Sequence, residues 1–257
     1  MKVVIIGSGN VATVLGRKIK ESGSEILQVI SKTEENARQL SNILNAAYST
    51  NLLDTREDGE LFIIAVSDQQ IPSVVKEMPR TEAMVVHTAG SVNKEVLKDA
   101  GENYGVLYPL QTLNKKVDSL PVIPIIIDGN TEKVRHKLFD FACLWSPMVA
   151  FANDEQRLTT HLAAVIVNNF TNHLMVLTED FCNKEGVDFK LLIPLIQETV
   201  SRLGSFSPSV LQTGPAVRGD IATIDKHLQL LNRQPALRKL YLKLTESIIN
   251  QNKLIHE

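Results

Sequence analysis

The chain has 257 residues, enough for one large domain or two of ordinary size. Hydrophobic residues make up 44% and charged residues 22%, a globular composition, and the net charge of −2 gives no indication of nucleic-acid binding. The longest apolar runs, such as residues 162–167, are too short to cross a bilayer. We therefore expect neither a nucleic acid nor a membrane as partner.

The two cysteines, Cys143 and Cys182, lie far apart in apolar surroundings, so we expect buried free thiols in a reducing compartment. No cysteine or histidine cluster has the spacing of metal ligands, and no metal site is predicted. The first residues resemble a strand rather than a signal peptide. These observations predict a cytoplasmic protein.

A glycine-rich turn follows the first predicted strand. Residues 2–6 are apolar and β-branched, apolar residues then recur at helical spacing over 11–19, and GSGNVA lies at the join. In this strand–turn–helix context the pattern predicts a dinucleotide diphosphate on the free N–H groups of the helix start. The predicted cofactor-binding residues are Gly7, Ser8, Gly9, Asn10, Val11 and Ala12. An ordinary glycine-rich turn is the alternative.

The end of the second predicted strand, residues 25–31, determines which cofactor is expected. An acidic residue there would bind the ribose of NAD, but this chain has Ser31, Lys32 and Thr33. Two hydroxyls and a cation suit the 2′-phosphate of NADP, so we predict NADP. The alternative is a polar loop in which Thr33 caps the next helix, over 34–44.

The buried run 61–66 predicts another strand, which ends in Val66, Ser67 and Asp68. Strand ends on this side of a doubly wound sheet face the ligand, so we expect these three residues near the nicotinamide half of the cofactor. Asp68 could instead cap the helix that begins near residue 71, and the sequence favours capping.

Three more strands are predicted before residue 130. They cover 84–86, which runs into His87 and the small residues after it, 105–108, and 122–127, where Pro124 indicates a sheet edge. A helix over 130–141 follows. The alternation of strands and helices predicts a doubly wound, mostly parallel Rossmann-like sheet, with residues 1–150 as an NADP-binding domain.

The second half, residues 151–257, is predicted to be an all-helical substrate and dimerisation domain. Residues 152–184 contain neither glycine nor proline and predict one very long helix, which Gly186 ends. A helix over 188–203 is interrupted by Pro194, Asp220 caps another, and a last one begins at residue 235. Because such a long apolar helix needs a partner surface, we expect a homodimer.

Polar residues on the long helix are candidate site residues. At 100° per residue His161, Asn168 and Asn172 fall close to one line, and Asn169 lies about 80° round from His161. Asn168 and Asn172 are better explained by hydrogen bonds across a dimer core. For His161 and Asn169 a site role and a structural role are equally supported by the spacing.

These segments together resemble those of bacterial proteins described as NADP oxidoreductases, which join a Rossmann domain to a helical domain of unknown function. The match spans the whole chain and depends on GSGNVA at 7–12, AVSD at 65–68, HTAGS at 87–91, YPLQT at 108–112, HLAAVIVNNF at 161–170 and TGPAVRGD at 213–220. The family is similar to pyrroline-5-carboxylate reductase, to the β-hydroxyacid and 6-phosphogluconate dehydrogenases and to deazaflavin-dependent NADP reductases.

The resemblance implies a substrate site between the sheet and the long helix, with Asn169, His161 and the turn at Arg218 as site residues, and dimerisation through a 6-phosphogluconate-dehydrogenase-like helical domain. The lysine that dehydrogenase relatives often place four residues before an asparagine is Val165 here, so lysine chemistry does not carry over.

The predicted reaction is hydride transfer between NADPH and a small carbonyl or imine compound. His161 or His87 would protonate a carbonyl oxygen, Asn169 would hydrogen-bond it, and Arg218 would bind a substrate carboxylate. An ion pair between Arg218 and Asp220 is the alternative for that arginine. The alternative for the whole protein is a non-catalytic NADP sensor whose helices bind a partner.

Overall fold

The computed structural model describes residues 1–117 and 119–256, and the side chains of the helical residues 253–256 are not considered. The chain forms two compact units, Met1–Val165 and Ile166–Glu257. Unit 1 thus includes the first part of the predicted long helix. The division into functional domains at residue 150 stays a prediction.

Unit 1 is built around one eight-stranded sheet of order β3-β2-β1-β4-β5-β6-β7-β8. The first six strands are parallel, β7 is antiparallel to β6, and β8 is parallel to β7. The strands are β1 (Lys2–Ile6), β2 (Glu25–Ile30), β3 (Ala47–Ser49), β4 (Leu61–Ile64), β5 (Thr81–His87), β6 (Gly101–Pro109), β7 (Ile125–Gly129) and β8 (Val149–Phe151). The predicted doubly wound, mostly parallel sheet is confirmed.

Helices pack on both faces of this sheet and produce two apolar cores. One core includes the side chains of Val3 and Ile5, and the other includes those of Val4 and Ile6, so β1 is buried on both faces as its unbroken apolar run predicts. The helices of unit 1 are α1 (Asn10–Glu21), α2 (Glu34–Leu44), α3 (Ile71–Glu77), α4 (Glu132–Cys143) and α5 (Asp154–Ala164).

Two predictions for unit 1 are wrong, and one strand was not predicted. Pro124 precedes β7, which pairs with β6 and β8 and is therefore not an edge strand; the proline costs no ladder hydrogen bond there. The three-residue strand β8 was not expected, since its sequence is too short for a period to show. Cys143 is exposed at the end of α4, whereas Cys182 is buried as predicted.

Unit 2 is helical, as the sequence predicts. It contains the greater part of a π-helical segment, Val165–Phe170, followed by α6 to α11. These helices are α6 (Thr171–Glu185), α7 (Ile193–Arg202), α8 (Pro208–Leu211), α9 (Pro215–Arg218), α10 (Ile221–Leu230) and α11 (Pro235–His256). Gly186 ends α6 in the left-handed conformation and Asp220 caps α10 through the N–H of Thr223, both as predicted.

Two details of the helices differ from prediction. Pro194 lies in the first turn of α7, where a missing N–H costs nothing, and therefore starts the helix instead of interrupting it. The π-helical segment pairs residue i with i+5, so the 100° spacing used to align His161 with Asn168 does not hold across it. Among the residues that the structure describes, no helix is long and apolar enough to span a membrane.

Candidate functional site

The predicted diphosphate-binding turn lies between β1 and α1. Gly7 has a φ of 123°, and a Cβ added to it would collide with the backbone oxygen of Ala65. Gly9 precedes the first residue of α1, and a Cβ there would meet nothing within 4 Å, so the space above it is open. The first intrahelical hydrogen bond joins the N–H of Thr13 to the carbonyl of Gly9. The N–H of Gly7 donates to the Ile30 carbonyl at 2.7 Å, but the N–H groups of residues 10–12, at the start of α1, are available to an anion, as the prediction requires.

Side chains of the turn connect it to its neighbours. The hydroxyl oxygens of Ser8 and Ser31 lie 2.6 Å apart, which joins the turn to the end of β2. The Asn10 side-chain oxygen accepts a 3.2 Å hydrogen bond from the N–H of Lys115, in the loop after β6. Val11 is half-buried, and Ala12 is buried in the core, in the small-residue position where the helix meets the sheet.

A cleft of about 400 Å³ opens beside the turn, at the carboxyl ends of β1, β2 and β4. Its lining includes the predicted cofactor residues Gly7, Ser31, Lys32 and Val66. Open sheets of this type bind ligands in such a crevice, where the strand order reverses on either side of β1. The exposed Lys32 places a cation at the rim, which suits the extra phosphate of NADP.

Thr33 and Asp68 have partners that the sequence did not predict. Thr33 is the residue before α2, but its hydroxyl accepts a 2.6 Å hydrogen bond from the Asn36 side chain instead of capping a backbone N–H. Asp68 does not cap α3; its carboxylate accepts a 2.6 Å hydrogen bond from the Ser91 hydroxyl. Asp68 follows the exposed Ser67, so both side chains lie beyond the carboxyl end of β4.

A tyrosine–histidine pair lies at the carboxyl end of β6. The Tyr108 hydroxyl and Nδ1 of His161 are 2.9 Å apart, and the two rings meet edge to face at 5.8 Å. A Cβ on the buried Gly90 would lie 2.8 Å from His161 Nδ1 and 2.9 Å from Tyr108 Cζ, so only glycine leaves room for the pair. Burial, and then the nearby Asp68 carboxylate, raise the pKa of the Tyr108 hydroxyl.

His87 ends β5, the strand that pairs with β6, and is completely buried. Its Nδ1 accepts a hydrogen bond from the N–H of Ala89, and its Nε2 has no partner among the described residues. Burial, and then the charge of Arg157, lower the pKa of His87 to about 4, so the ring is neutral at physiological pH. His161 is half-exposed, whereas His87 is enclosed, and a catalytic role for either histidine stays a prediction.

The structure does not test the roles predicted for the polar residues of unit 2. Asn169 lies exposed in the π-helical segment, a feature common at functional sites. Arg218 ends α9 and is exposed. Its charge helps to lower the pKa of Asp220, but the hydrogen bonds from Thr223 to that carboxylate contribute more. Both assignments therefore stay predictions.

Sequence reasoning did not select Tyr108. The only signal was its position in YPLQT, at the end of a strand that ends on the ligand side of the sheet. Its partner is 53 residues away, and no local pattern connects the two. Within the described part of the chain, no group of three or more histidine, cysteine or acidic side chains is arranged to hold a metal ion.

Comparison with known protein families finds two matches, one in each half of the chain. Residues 2–90 match the family "NADP oxidoreductase coenzyme F420-dependent", and residues 123–248 match a domain of unknown function, DUF2520. A crystal structure described as a candidate NADP oxidoreductase, from Bacteroides fragilis, is 37% identical, covers 97% of this chain and 98% of its own, and superposes with a TM-score of 0.88.

The chain belongs to this NADP oxidoreductase family. The predicted family and the predicted cofactor, NADP, are thereby confirmed. The match to the F420-dependent family also agrees with the predicted likeness to deazaflavin-dependent reductases.

More distant solved structures of reductases share the fold of this NADP oxidoreductase. The 1-pyrroline-5-carboxylate reductase of Streptococcus pyogenes is 16% identical and has a TM-score of 0.66, with 97% of this chain and 98% of its own covered. A reductive aminase of Aspergillus terreus, in complex with NADPH and ethyl-5-oxohexanoate, is 14% identical and has a TM-score of 0.73, with 96% and 92% covered. A comparison with curated protein sequences found no match.

Proposed function

We propose that this NADP oxidoreductase is a reductase that transfers a hydride from NADPH to a small carbonyl or imine compound. The observation that carries the proposal is the position of the Tyr108–His161 pair at the same edge of the sheet as the glycine turn. A dinucleotide site and an acid–base pair on one sheet edge are the two parts that a carbonyl reductase needs.

The cofactor fits the residues of the first βα unit. Residues 10–12, at the start of α1, would offer backbone N–H groups to the diphosphate, and Ser31, Lys32 and Thr33 would receive the 2′-phosphate. The next predicted residues, Val66, Ser67 and Asp68, follow β4. In the sheet, β4 lies between β1, which precedes the glycine turn, and β6, which carries Tyr108. When bound, NADPH supplies the hydride.

The proton that a carbonyl oxygen needs would come from Tyr108. Its raised pKa keeps the hydroxyl protonated until a substrate oxygen gains negative charge. His161 Nδ1–H would return a proton to the phenolic oxygen while Nε2 of the same half-exposed ring takes up a proton from solvent, so the imidazole stays neutral. The carbon gains the hydride and the oxygen the proton, so the product is an alcohol. A protonated imine needs no such donor and would give an amine.

The substrate class follows from the chemistry and from the relatives. The reductive aminase was solved with a keto ester, and the pyrroline-5-carboxylate reductase is named for a cyclic imine; both share the fold with this chain. Asn169 would hydrogen-bond the reacting oxygen or nitrogen, and Arg218 would bind a carboxylate of the substrate.

The test follows NADPH absorbance with panels of small aldehydes, keto acids and cyclic imines. We expect turnover on one panel, and for a carbonyl substrate a loss of kcat of about a hundredfold in Tyr108→Phe, within the usual range for a general acid. Tyr104→Phe is the matched control, because Tyr104 lies on the same strand but donates to Glu95. Asn169→Ala should lose turnover while retaining cofactor affinity. Tight NADPH binding without turnover on any panel would favour the non-catalytic sensor.

We also propose a homodimer formed through unit 2. The buried apolar side chains among its described residues are Cys182, Ala216, Ile224 and Leu231. Large side chains such as Val167, Leu191 and Val210 are more than 70% exposed. A helical unit with so small a core needs a partner surface. Sedimentation at the mass of one chain would contradict this proposal.

The two free cysteines agree with the predicted reducing, cytoplasmic setting.

A further inference from the structure

Helix α5 presents a row of polar residues to the crossover that follows β5, residues 88–93. Asp154, Arg157 and His161 are spaced three and four residues apart, so they share one face of the helix. A capping box between Asn153 and Gln156 sets the first turn of α5. The position of His161 opposite Tyr108 therefore depends on how this face is held.

Arg157 holds that face to the crossover. Its guanidinium is 1% exposed, and its terminal NH2 donates to the backbone oxygen of Val92 and, at 2.6 Å, to Asp154. Val92 follows Gly90 and Ser91, the residues that contact the Tyr108–His161 pair and Asp68. One arginine thus connects α5 to the segment on which the pair is packed.

The same cluster contains a second cation. Lys94 Nζ lies 2.8 Å from Asp128 and 3.0 Å from Asp154, and its backbone N–H donates to Asp154 as well. Two cations thus face two carboxylates, with the partly exposed Arg135 3.6 Å from Asp128. Lys94 and Asp154 connect the start of α5 to the sheet without Arg157. The burial of Arg157 beside the same carboxylate, Asp154, therefore needs another reason than the attachment of α5 to the sheet.

That reason lies in the charges around Tyr108. Asp68 beyond β4 opposes ionisation of its hydroxyl, and Arg157 on α5 favours it. His161, also on α5, shares the hydrogen bond with it, and the neutral His87 ends β5. Nε and NH1 of Arg157 have no hydrogen-bond partner among the described residues, so these N–H groups leave its charge incompletely neutralised.

We propose that Arg157 is a positioning residue for the reaction: it holds the crossover against α5 through Val92, and it places a buried positive charge near the Tyr108 hydroxyl that loses its proton. The charge would stabilise the tyrosinate formed as the substrate oxygen is protonated. This inference rests on the function proposed above. Its test therefore includes a measurement that needs no turnover.

The test compares Arg157→Met, Arg157→Lys and the control Arg135→Met. The chain has four tyrosines, so fluorotyrosine-labelled protein gives a small fluorine NMR spectrum in which Tyr108→Phe identifies the Tyr108 signal. We expect Arg157→Met to raise the Tyr108 titration midpoint by about one pH unit and to lower kcat about tenfold, since one unit corresponds to a factor of ten. The NADPH dissociation constant should change less than twofold. Arg135→Met should change none of these.

Arg157→Lys separates the two parts of the role. It keeps the charge but loses the planar fork, so the Tyr108 midpoint should stay near the wild-type value while kcat falls severalfold. A wild-type kcat in Arg157→Lys would contradict the proposal that Arg157 holds the crossover against α5. This measurement decides that point even if Arg157→Met does not fold. An unchanged Tyr108 midpoint in folded Arg157→Met would overturn the electrostatic role. If no substrate is found, the Tyr108 titration midpoints still test the charge of Arg157. A failure of the proposed reaction is therefore distinguishable from a failure of this inference.

Discussion

The buried His87 makes the stability of unit 1 sensitive to acid. In the folded protein its pKa is lowered from 6.5 to about 4, first by burial and then by the charge of Arg157. The unfolded chain takes up a proton near pH 6.5, whereas the native state resists protonation until about pH 4. The unfolded chain therefore binds more protons throughout this window. Stability contributed by His87 is complete above pH 6.5 and is lost as the pH falls toward 4.

The size of this effect follows from the two pKa values. Each unit of difference corresponds to about 1.4 kcal/mol, so His87 should remove about 3 kcal/mol from the free energy of unfolding between the two limits. The loss is a large fraction of the usual stability of a domain. The Asp154 carboxylate contributes in a different range. Burial acts to raise its pKa, but hydrogen bonds from Arg157 and Lys94 outweigh burial and lower it, so its contribution is lost only at more acidic pH.

The assay is urea unfolding at a series of pH values, followed by fluorescence. The chain has one tryptophan, Trp145, and it lies in unit 1 against the same core as the sheet. His87→Asn keeps an acceptor for the N–H of Ala89 but does not titrate. The variant should lose about 3 kcal/mol less than the wild type on acidification, whatever its stability at neutral pH. His136→Asn, at an exposed position on α4, is the control and should follow the wild type.

Equal pH dependence in the wild type and His87→Asn would refute the reasoning. It would mean either that His87 becomes protonated at its ordinary pKa in the native state or that the crossover opens before unit 1 unfolds. Proton NMR of the His87 ring would separate these explanations, because a titration near pH 4 is expected only for a ring that stays enclosed.

Four further substitutions test the site. Gly7→Ala should destabilise unit 1 by more than about 2 kcal/mol, because the left-handed turn and the Ala65 carbonyl exclude a Cβ, whereas Gly9→Ala should fold normally and lose NADPH affinity by calorimetry. Lys32→Ala should weaken NADPH binding about tenfold and NADH binding little; equal losses would argue against a 2′-phosphate contact. Gly90→Ala should displace His161 and lower kcat at least about tenfold, with the folded protein retaining its cofactor.

The parts of this structure that local pattern determines were predictable. An apolar β-branched run, a glycine turn and a helical period occupy adjacent residues, so the first βα unit and the open turn within it follow from 20 residues of sequence. The residues that begin or end helices were also predictable, because they act through their own backbone or the next turn. They are Gly186 at the end of α6, Asp220 at the cap of α10 and Pro235 at the start of α11.

The rest depends on contacts between distant residues. The Tyr108–His161 bond, the Asp68–Ser91 bond and the buried charge of Arg157 connect strands and helices that the sheet order brings together. Asp68 shows the difficulty: its position before α3 favoured capping, yet a hydroxyl 23 residues away is its partner. The sequence does not show the π-helical segment either, because six residues are too few for a change of helical period to be read from their apolar spacing.

The reversal of direction between β6 and β7 determines where α5 can lead. Since β7 and β8 run against the first six strands, the chain leaves β8 heading away from the ligand edge, and α5 then turns back along the sheet. Asp154, at the start of α5, lies close to Asp128 because both carboxylates bind Lys94. His161, about two turns later in the helix, reaches Tyr108. With an all-parallel sheet, the same helix would begin at that edge and carry its histidine away from it. Two short reversed strands thus let one helix deliver a residue to the edge at which the six parallel strands end.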